Sequence, residues 1–289
     1  MEKVVIIGIG LIGGSFAKGI RRLYPAAKIT GLDTNETHLD QAMALRLIDE
    51  KANGDTLSDA DTILVSIPVD AMVTELPKIL EQVNEDCLVI DAGSTKALVC
   101  ETISEHPKRR NFLACHPIAG TEFSGPEASF DGLYEGKTNI ICEVEKTAFK
   151  LQERALDLFQ KLGMRIRYMN PGAHDKHIAY VSHLSHISSF MLGKTVIEKE
   201  RNERDIFDMA GSGFESTVRL AKSSPDMWTP IFEQNKENVI ETLKEYIQNL
   251  ETFKKMMEEG DFEGIYNEMN NTNRIKQILE GIPLTKTLD

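Results

Sequence analysis

The chain has 289 residues, a length more natural for two domains than for one, with 41% hydrophobic and 27% charged residues as in ordinary globular proteins. Its net charge of −12 argues against nucleic acid or an anionic membrane as a partner, and no apolar run approaches the ~20 residues that span a bilayer. With no signal-peptide pattern and four cysteines in no CxxC spacing, we expect a cytoplasmic protein with reduced thiols.

Short β-branched runs alternate with helical patterns through roughly the first 170 residues, which is typical of parallel α/β folds. Residues 116–137 interrupt this alternation as a glycine-rich loop. The predicted helices between strands include Leu11–Leu23, Glu36–Leu45 and Ala148–Leu162. The predicted strands are Lys3–Ile7, Lys28–Leu32, Thr62–Ile67, Cys87–Asp91, Asn111–Cys115, Thr138–Cys142 and Met164–Tyr168.

The pattern becomes helical after the NPG of residues 170–172. Residues 174–200 predict one long helix, and residues 233–260 predict another that ends at Gly260. We therefore predict an α/β chain with a doubly wound Rossmann-type domain over residues 1–170. An all-helical domain is predicted over residues 171–289.

Gly8, Gly10 and Gly13 form a G-x-G-x-x-G motif between the first strand and the first helix, the context that gives this motif its meaning. The first glycine permits a tight turn, the second lets the backbone approach a pyrophosphate, and the third allows close packing of helix and strand. The N–H groups at the start of the helix attract phosphates. An ordinary glycine-rich turn is the alternative, but the context favours dinucleotide binding.

Asp33 stands at the end of the second strand, 20 residues after Gly13. A carboxylate there accepts hydrogen bonds from a ribose diol and repels a 2′-phosphate, which favours NAD over NADP; otherwise Asp33 caps the next helix. Ser66 and Pro68 end the third clear strand, where a loop can meet the cofactor or Pro68 can simply end the strand. The predicted cofactor-binding residues are Gly8, Gly10, Leu11, Ile12, Gly13, Asp33, Ser66, Pro68 and Ser94.

Five segments carry a resemblance that covers nearly the whole chain. They are GIGLIGGS (8–15), DAGSTK (91–96), HPIAGTEFSG (116–125), HDKHIAYVSHLSH (174–186) and GSGFESTVRLAKSSPDMW (211–228). In order and spacing they resemble the prephenate/arogenate dehydrogenases. The resemblance implies NAD-dependent oxidative decarboxylation of prephenate to 4-hydroxyphenylpyruvate in tyrosine biosynthesis, with a helical domain that forms a homodimer.

The chemistry of that reaction suits a histidine. Hydride leaves ring carbon 4 of prephenate, carbon dioxide leaves the opposite carbon, and aromatisation drives the step without a metal. A neutral imidazole bonded to the carbon-4 hydroxyl stabilises the positive charge that develops there. The resemblance assigns this role to His116, with Ser94 orienting the hydroxyl or the nicotinamide, capping the helix that starts near Thr95, or both.

Substrate binding requires cations in this acidic protein, because prephenate carries two carboxylates. The resemblance assigns Arg219 to a carboxylate, which a guanidinium can grip with two hydrogen bonds. It also places one or both of His183 and His186 in the substrate pocket, and we favour His186 over His183. The two histidines share a helix face. Ser185 stands where the family usually has proline, which leaves the aim of these imidazoles open.

Two other charged residues near these motifs have alternative interpretations. Lys96 either adds positive potential to the site or is solvated, and Glu122 either gates the pocket or is a plain surface glutamate. Of the other histidines, His174 and His177 make the region histidine-dense. Neither an HExxH motif nor a matching cysteine accompanies them, so no metal is expected.

Three alternatives to prephenate oxidation stay open. Arogenate could replace prephenate, because the sequence does not fix recognition of the side-chain keto or amino group. A hydroxy-acid or imine dehydrogenase would use a catalytic lysine on the interdomain helix, for which Lys176 and Lys194 are candidates. An NAD-sensing regulatory module would bind the cofactor without turning over a substrate.

Overall fold

The computed structural model describes residues 1–201, 203 and 205–281. Within these residues eight strands form one sheet, in the order β3-β2-β1-β4-β5-β6-β7-β8. The strands are β1 (Lys3–Ile7), β2 (Lys28–Leu32), β3 (Glu50–Lys51), β4 (Thr62–Val65), β5 (Leu88–Asp91), β6 (Phe112–Pro117), β7 (Thr138–Cys142) and β8 (Arg165–Met169).

The helices lie against the sheet in the first part of the chain and pack together in the second. In the first part they are α1 (Leu11–Leu23), α2 (Glu36–Ala44), α3 (Val69–Gln82), α4 (Ala97–Thr102) and α5 (Phe149–Lys161). In the second part they are α6 (Pro171–Ile178), α7 (Leu184–Glu200), α8 (Ser212–Val218), α9 (Pro225–Gln234), α10 (Lys236–Glu259), α11 (Phe262–Thr272) and α12 (Ile275–Gly281).

Both faces of the sheet are covered, so its central strands are apolar on both sides. Successive side chains of β1 point to opposite faces: Val4 and Ile6 belong to one buried cluster and Val5 and Ile7 to the other. The N-terminal half is therefore the predicted α/β domain, and the carboxyl ends of its parallel strands form the edge where such sheets bind ligands.

The sheet departs from parallel order at β7, which runs antiparallel to β6, while β8 is parallel to β7. Residues 118–137 join β6 to β7 with only a short 3₁₀ turn at Pro126–Ala128. A parallel connection needs a crossover, usually a helix. Without one, the chain returns beside β6 in the opposite direction, so the parallel order that the alternating pattern suggests does not extend to β7.

The predicted single helix over residues 174–200 is also interrupted. The Asn170 side chain accepts hydrogen bonds from the N–H groups of Gly172 and Ala173, so α6 begins earlier, at Pro171. A π-helical turn at Ala179–His183 then separates α6 from α7. Ser185 donates to the carbonyl of Val181 from inside α7.

The other predicted long helix, over residues 233–260, corresponds to α10, which begins at Lys236 because Asn235 separates it from α9. Its predicted end is confirmed, since Gly260 follows the last helical residue with φ +71°. After Met169 the described residues contain no strand, as predicted. Within the described residues, none of the helices combines the length and apolar character that crossing a bilayer requires. The four cysteines are buried free thiols.

Candidate active site

The glycine motif forms a tight turn between β1 and α1. Gly8 has φ +89°, and a Cβ there would lie 2.5 Å from the Ser66 carbonyl oxygen. At Gly13 a Cβ would lie 2.2 Å from the Gly8 carbonyl oxygen, whereas at Gly10 it would meet nothing within 4 Å. No side chain caps the first turn of α1. Open space above uncapped N–H groups is the cradle that a pyrophosphate requires, so these residues fit a dinucleotide.

Asp33 lies beside this turn. Its carboxylate accepts hydrogen bonds from the N–H groups of Ile9, at 2.8 Å, and Asn35, at 2.9 Å. Asn35, not Asp33, caps α2, because its side chain accepts from Thr37 and His38. The alternative role of Asp33 as the helix cap is therefore wrong.

The other predicted cofactor residues surround the turn. Ser66 donates to the Gly8 carbonyl at 2.8 Å and so supports the turn. Pro68 is exposed at the N-cap position of α3. In the first turn of α1, Leu11 is buried and the Ile12 carbonyl accepts the Tyr134 hydroxyl at 2.7 Å. Contact of these residues with the cofactor stays a prediction.

His116 lies in β6, with a side chain that is almost fully buried. Its Nδ1 is 2.8 Å from Nε2 of His174, at the first turn of α6. Burial is the main cause that lowers the pKa of His116 well below its usual value, and the nearby Lys96 ammonium adds to the effect. The imidazole is therefore neutral near pH 7, as the proposed chemistry requires.

Lys96 has no exposed area, so the interpretation of Lys96 as a solvated lysine is wrong. Its ammonium donates to the Asp91 carboxylate and, at 2.8 Å, to the Cys115 carbonyl. Asp91 also accepts from the N–H groups of Gly93, at 2.9 Å, and Cys115, at 2.8 Å. This buried ion pair ties the end of β5 to the β6 residue that immediately precedes His116.

Ser94 is half-buried in the loop between β5 and α4. It does not cap α4, because α4 begins at Ala97 and the Asp175 carboxylate accepts from the N–H groups of Lys96 and Ala97. The interpretation of Ser94 as the cap of this helix is therefore wrong. Its contact with the substrate hydroxyl or the nicotinamide stays a prediction.

His183 and His186 flank the indole of Trp228. The His186 ring stacks on Trp228 with centroids 3.6 Å apart, while the fully buried His183 meets the indole edge-on at 5.7 Å. Burial lowers the pKa of both histidines, that of His183 to about 4. Both rings are uncharged at neutral pH, and His183 can touch a substrate only if the residues packed on it move.

Arg219 joins the helical half to the loop that follows β6. Its Nη1 donates to the Glu122 carboxylate at 3.0 Å. The Arg219 side chain is about half exposed (49%) and that of Glu122 much less (17%). The Glu122 backbone N–H and the Arg219 charge hold the pKa of Glu122 below its usual value. Glu122 is therefore an ion-pair partner of the predicted carboxylate-binding arginine.

The sequence analysis missed two adjacent polar residues, Gln234 and Asn235, that hold the helical half in place. Gln234 accepts from the Thr95 hydroxyl at 2.6 Å and donates to the Val69 carbonyl at 2.7 Å. Asn235 donates to the Asp175 carbonyl at 2.7 Å and to Nδ1 of His183 at 3.2 Å. Gln234 therefore attaches α9 to the carboxyl edge of the sheet, whereas Asn235 ties α6 and the π-helical turn to the start of α10 within the helical half. Among the described residues, no group of three or more His, Cys, Asp or Glu could hold a metal ion.

Comparison with known proteins identifies the family to which this arrangement belongs. Residues 16–168 match the family model described as "Prephenate dehydrogenase, nucleotide-binding domain", and residues 170–271 match "Prephenate dehydrogenase, dimerization domain". The first match alone covers more than half of the chain. The chain belongs to the prephenate dehydrogenase family.

Similar proteins span nearly the whole length. The prephenate dehydrogenase of Bacillus subtilis (strain 168) is 28% identical, over 98% of this chain and 76% of its own. The cyclohexadienyl dehydrogenase of Zymomonas mobilis is 29% identical, over 90% of this chain and 91% of its own. The crystal structure of prephenate dehydrogenase from A. aeolicus, in complex with hydroxyphenyl propionate and NAD+, is 34% identical with a TM-score of 0.85, covering 96% and 98% of the two chains.

Membership of the prephenate dehydrogenase family confirms the expected fold class, a nucleotide-binding α/β half followed by a helical half. The nucleotide-binding model covers β2 and Asp33, which directly follows this strand, and it also covers the loop that carries Ser94. The dimerization model covers the helices that carry His186 and Arg219. The predicted roles of individual residues rest on the geometry described above.

Proposed function

We propose that this chain is an NAD-dependent oxidoreductase that converts prephenate to 4-hydroxyphenylpyruvate by oxidative decarboxylation, a step of tyrosine biosynthesis. Family membership supports the reaction class. The observation that carries the mechanism is the buried, neutral imidazole of His116 at the end of the sheet where parallel strands bind ligands.

The turn at Gly8–Gly13 and the Asp33 carboxylate would hold NAD, with the pyrophosphate over α1 and the ribose diol against Asp33. When bound, NAD accepts the hydride that leaves ring carbon 4. Asp33 already accepts two backbone hydrogen bonds, so its carboxylate is fixed in place before a ribose arrives. A carboxylate held there favours NAD over NADP.

His116 would accept a hydrogen bond from the hydroxyl on ring carbon 4. Positive charge develops at that oxygen as hydride departs, and a neutral acceptor stabilises it more than a cationic ring would. The hydroxyl keeps its proton in the phenol product, so His116 orients and polarises the O–H bond without any net proton loss. Ser94, on the loop before α4, would orient the same hydroxyl or the nicotinamide.

Arg219 would bind a substrate carboxylate with the guanidinium N–H groups that do not contact Glu122. His186 donates from Nδ1 to the Ser182 carbonyl at 3.0 Å, which leaves Nε2 for the substrate. His183, enclosed by Trp228, would support this wall of the pocket from behind.

The surroundings of Lys176 and Lys194 argue against a hydroxy-acid or imine dehydrogenase that uses a catalytic lysine. Lys176 pairs with Glu241 at 3.0 Å and Lys194 with Glu198 at 3.7 Å, and both lysine side chains are at least half exposed. Neither is placed as a buried catalytic amine. Arogenate remains the alternative substrate, because no described contact discriminates a keto from an amino side chain.

We also propose that the active form is a homodimer through the helical half, which matches a dimerization model. Helix α10 exposes a row of large apolar side chains that a partner copy would cover. They are Ile240, Ile247, Leu250, Phe253 and Met257. Sedimentation of the purified chain at twice its monomer mass supports this assembly, and a monomer over the same concentration range contradicts it.

A direct assay tests the proposed reaction. Purified chain is mixed with NAD and either prephenate or arogenate, and the absorbance of reduced nicotinamide is followed. We expect turnover of prephenate with NAD, and no turnover when NADP replaces NAD at the same concentration. NAD binding without turnover of either substrate would instead support the regulatory module.

A further inference from the structure

A buried row of three side chains lies behind the proposed reaction centre. Nδ1 of His116 is 2.8 Å from Nε2 of His174, and Nδ1 of His174 is 2.7 Å from Oδ1 of Asp175. His174 and Asp175 are 2% and 3% exposed. His116 comes from β6 and the other two from α6, so the row exists only because α6 packs beside the end of β6.

The hydrogen-bond partners fix which nitrogen carries each proton. Asp175 accepts the backbone N–H groups of Lys96 and Ala97, at 2.7 and 2.9 Å, and a carboxylate accepts from His174 as well. His174 therefore has its proton on Nδ1 and a lone pair on Nε2. His116 must then donate from Nδ1, which leaves the lone pair of its own Nε2 free.

We infer that His174 and Asp175 are positioning residues that hold His116 in the tautomer whose Nε2 accepts the substrate hydroxyl. This inference rests on the proposed function of His116. Without an acceptor at His174, the ring can place its proton on Nε2 instead, and it would then offer a donor where the reaction needs an acceptor.

The row also responds to the charge that develops during the reaction. As the substrate oxygen becomes positive, each N–H bond in the row is polarised toward the Asp175 carboxylate. No proton has to leave the row, and no bond in it has to break. Asp175 is fixed by the first N–H groups of α4, so it keeps its position while the charge develops.

The charged surroundings of His116 come from three elements. His174 and Asp175 belong to α6, Lys96 to the loop before α4, and His183 to the π-helical turn. Lys96 is paired with Asp91, and His183 is neutral at pH 7 because its pKa is about 4. Of these neighbours, His174 is the one that touches the His116 ring, through the 2.8 Å contact between its Nε2 and Nδ1 of His116.

The test compares two substitutions of His174 with a control on the same helix. His174→Leu removes the acceptor, His174→Gln keeps an amide oxygen that can accept from His116, and His177→Gln replaces an exposed histidine of α6. For each variant, kcat, the KM values for NAD and prephenate and the unfolding temperature are measured.

We expect His174→Leu to lower kcat by roughly 10- to 100-fold with both KM values within about twofold of wild type, since the lost acceptor acts on the chemical step. His174→Gln should restore most of kcat, and His177→Gln should match wild type.

Wild-type kcat in His174→Leu, or equal losses in both variants, would overturn the inference. If His174→Leu does not fold, the ¹⁵N spectrum of His116 in the wild-type chain decides: a proton on Nε2 overturns the inference and a proton on Nδ1 supports it. Inactivity of the wild-type chain would instead mean that the proposed function itself is wrong, so the two failures are distinguishable.

Discussion

The glycine turn and the histidine row would contribute to the proposed site in different ways. The turn is six consecutive residues, Gly8–Gly13, whose shape follows from local sterics at each glycine. The row joins His116 to His174 across 58 residues and depends on how a helix packs against a strand. A local motif can thus be read directly from sequence, whereas an assembled network becomes visible only in the fold.

The largest effect should come from the row. His116→Asn keeps an amide N–H that can donate to His174 but removes the Nε2 acceptor. We expect kcat to fall by roughly 10²- to 10⁴-fold, the range for a group engaged in acid–base catalysis, with NAD affinity unchanged. Steady-state rates and NAD titration measure both quantities. Unchanged kcat would remove His116 from the mechanism.

The next effect tests the contact between the helical half and the substrate. Arg219→Gln should raise the KM for prephenate roughly 10- to 100-fold while kcat changes little. This range corresponds to the loss of a hydrogen bond to a charged group, which contributes about 1.5–3 kcal/mol. Lys222→Gln, on the same 3₁₀ turn, is the matched control. Equal KM values for the two variants would contradict carboxylate binding by Arg219.

Substitutions at two glycines separate the cofactor-binding role of the turn from its structural role. Gly10→Ala places a Cβ in space that is open in this structure, so stability should hold while NAD binds about tenfold more weakly. Gly13→Ala forces a Cβ against the Gly8 carbonyl and should destabilise the fold by about 1–3 kcal/mol. Thermal unfolding and NAD titration separate the two. Unchanged NAD affinity in Gly10→Ala would place the pyrophosphate elsewhere.

A further prediction concerns the pH dependence of stability, not the activity. Burial lowers the pKa of His183 to about 4 from 6.5, so the stability it contributes is present above pH 6.5 and is lost as the pH falls toward 4. His183→Asn keeps an acceptor for Asn235 without this titration. Between pH 8 and pH 5 the variant should lose about 2 kcal/mol less unfolding free energy than wild type. Parallel pH curves would show that His183 titrates normally.

Sequence patterns predicted most of the fold because its strands and helices have clear periods. The bounds of β1, β2, β7 and α1 are confirmed, and so is the end of α10 at Gly260. The reversal at β7 was missed because hydrophobic periodicity carries no strand direction. The π-helical turn at Ala179–His183 was missed because it leaves the helical pattern nearly unchanged.

The site was predictable where a residue acts through its own motif. The shape of the turn at Gly8–Gly13 is an example, whereas carboxylate binding by Arg219 stays a prediction. The role of Lys96 was not predictable, since a lysine is buried only when a partner is present, and Asp91 becomes that partner through the fold. The adjacent His174 and Asp175 were a visible signal, but their contact with His116 depends on the packing of α6.

The protonation of His116 tests the account most directly. In protein with ¹⁵N-labelled histidine, spectra at pH 7.5 distinguish protonated from unprotonated ring nitrogens, and the His116→Asn variant assigns the signals. We predict a neutral His116 ring with its proton on Nδ1 and none on Nε2. A cationic ring, or a proton on Nε2, would contradict the proposed role of this imidazole as the acceptor for the substrate hydroxyl.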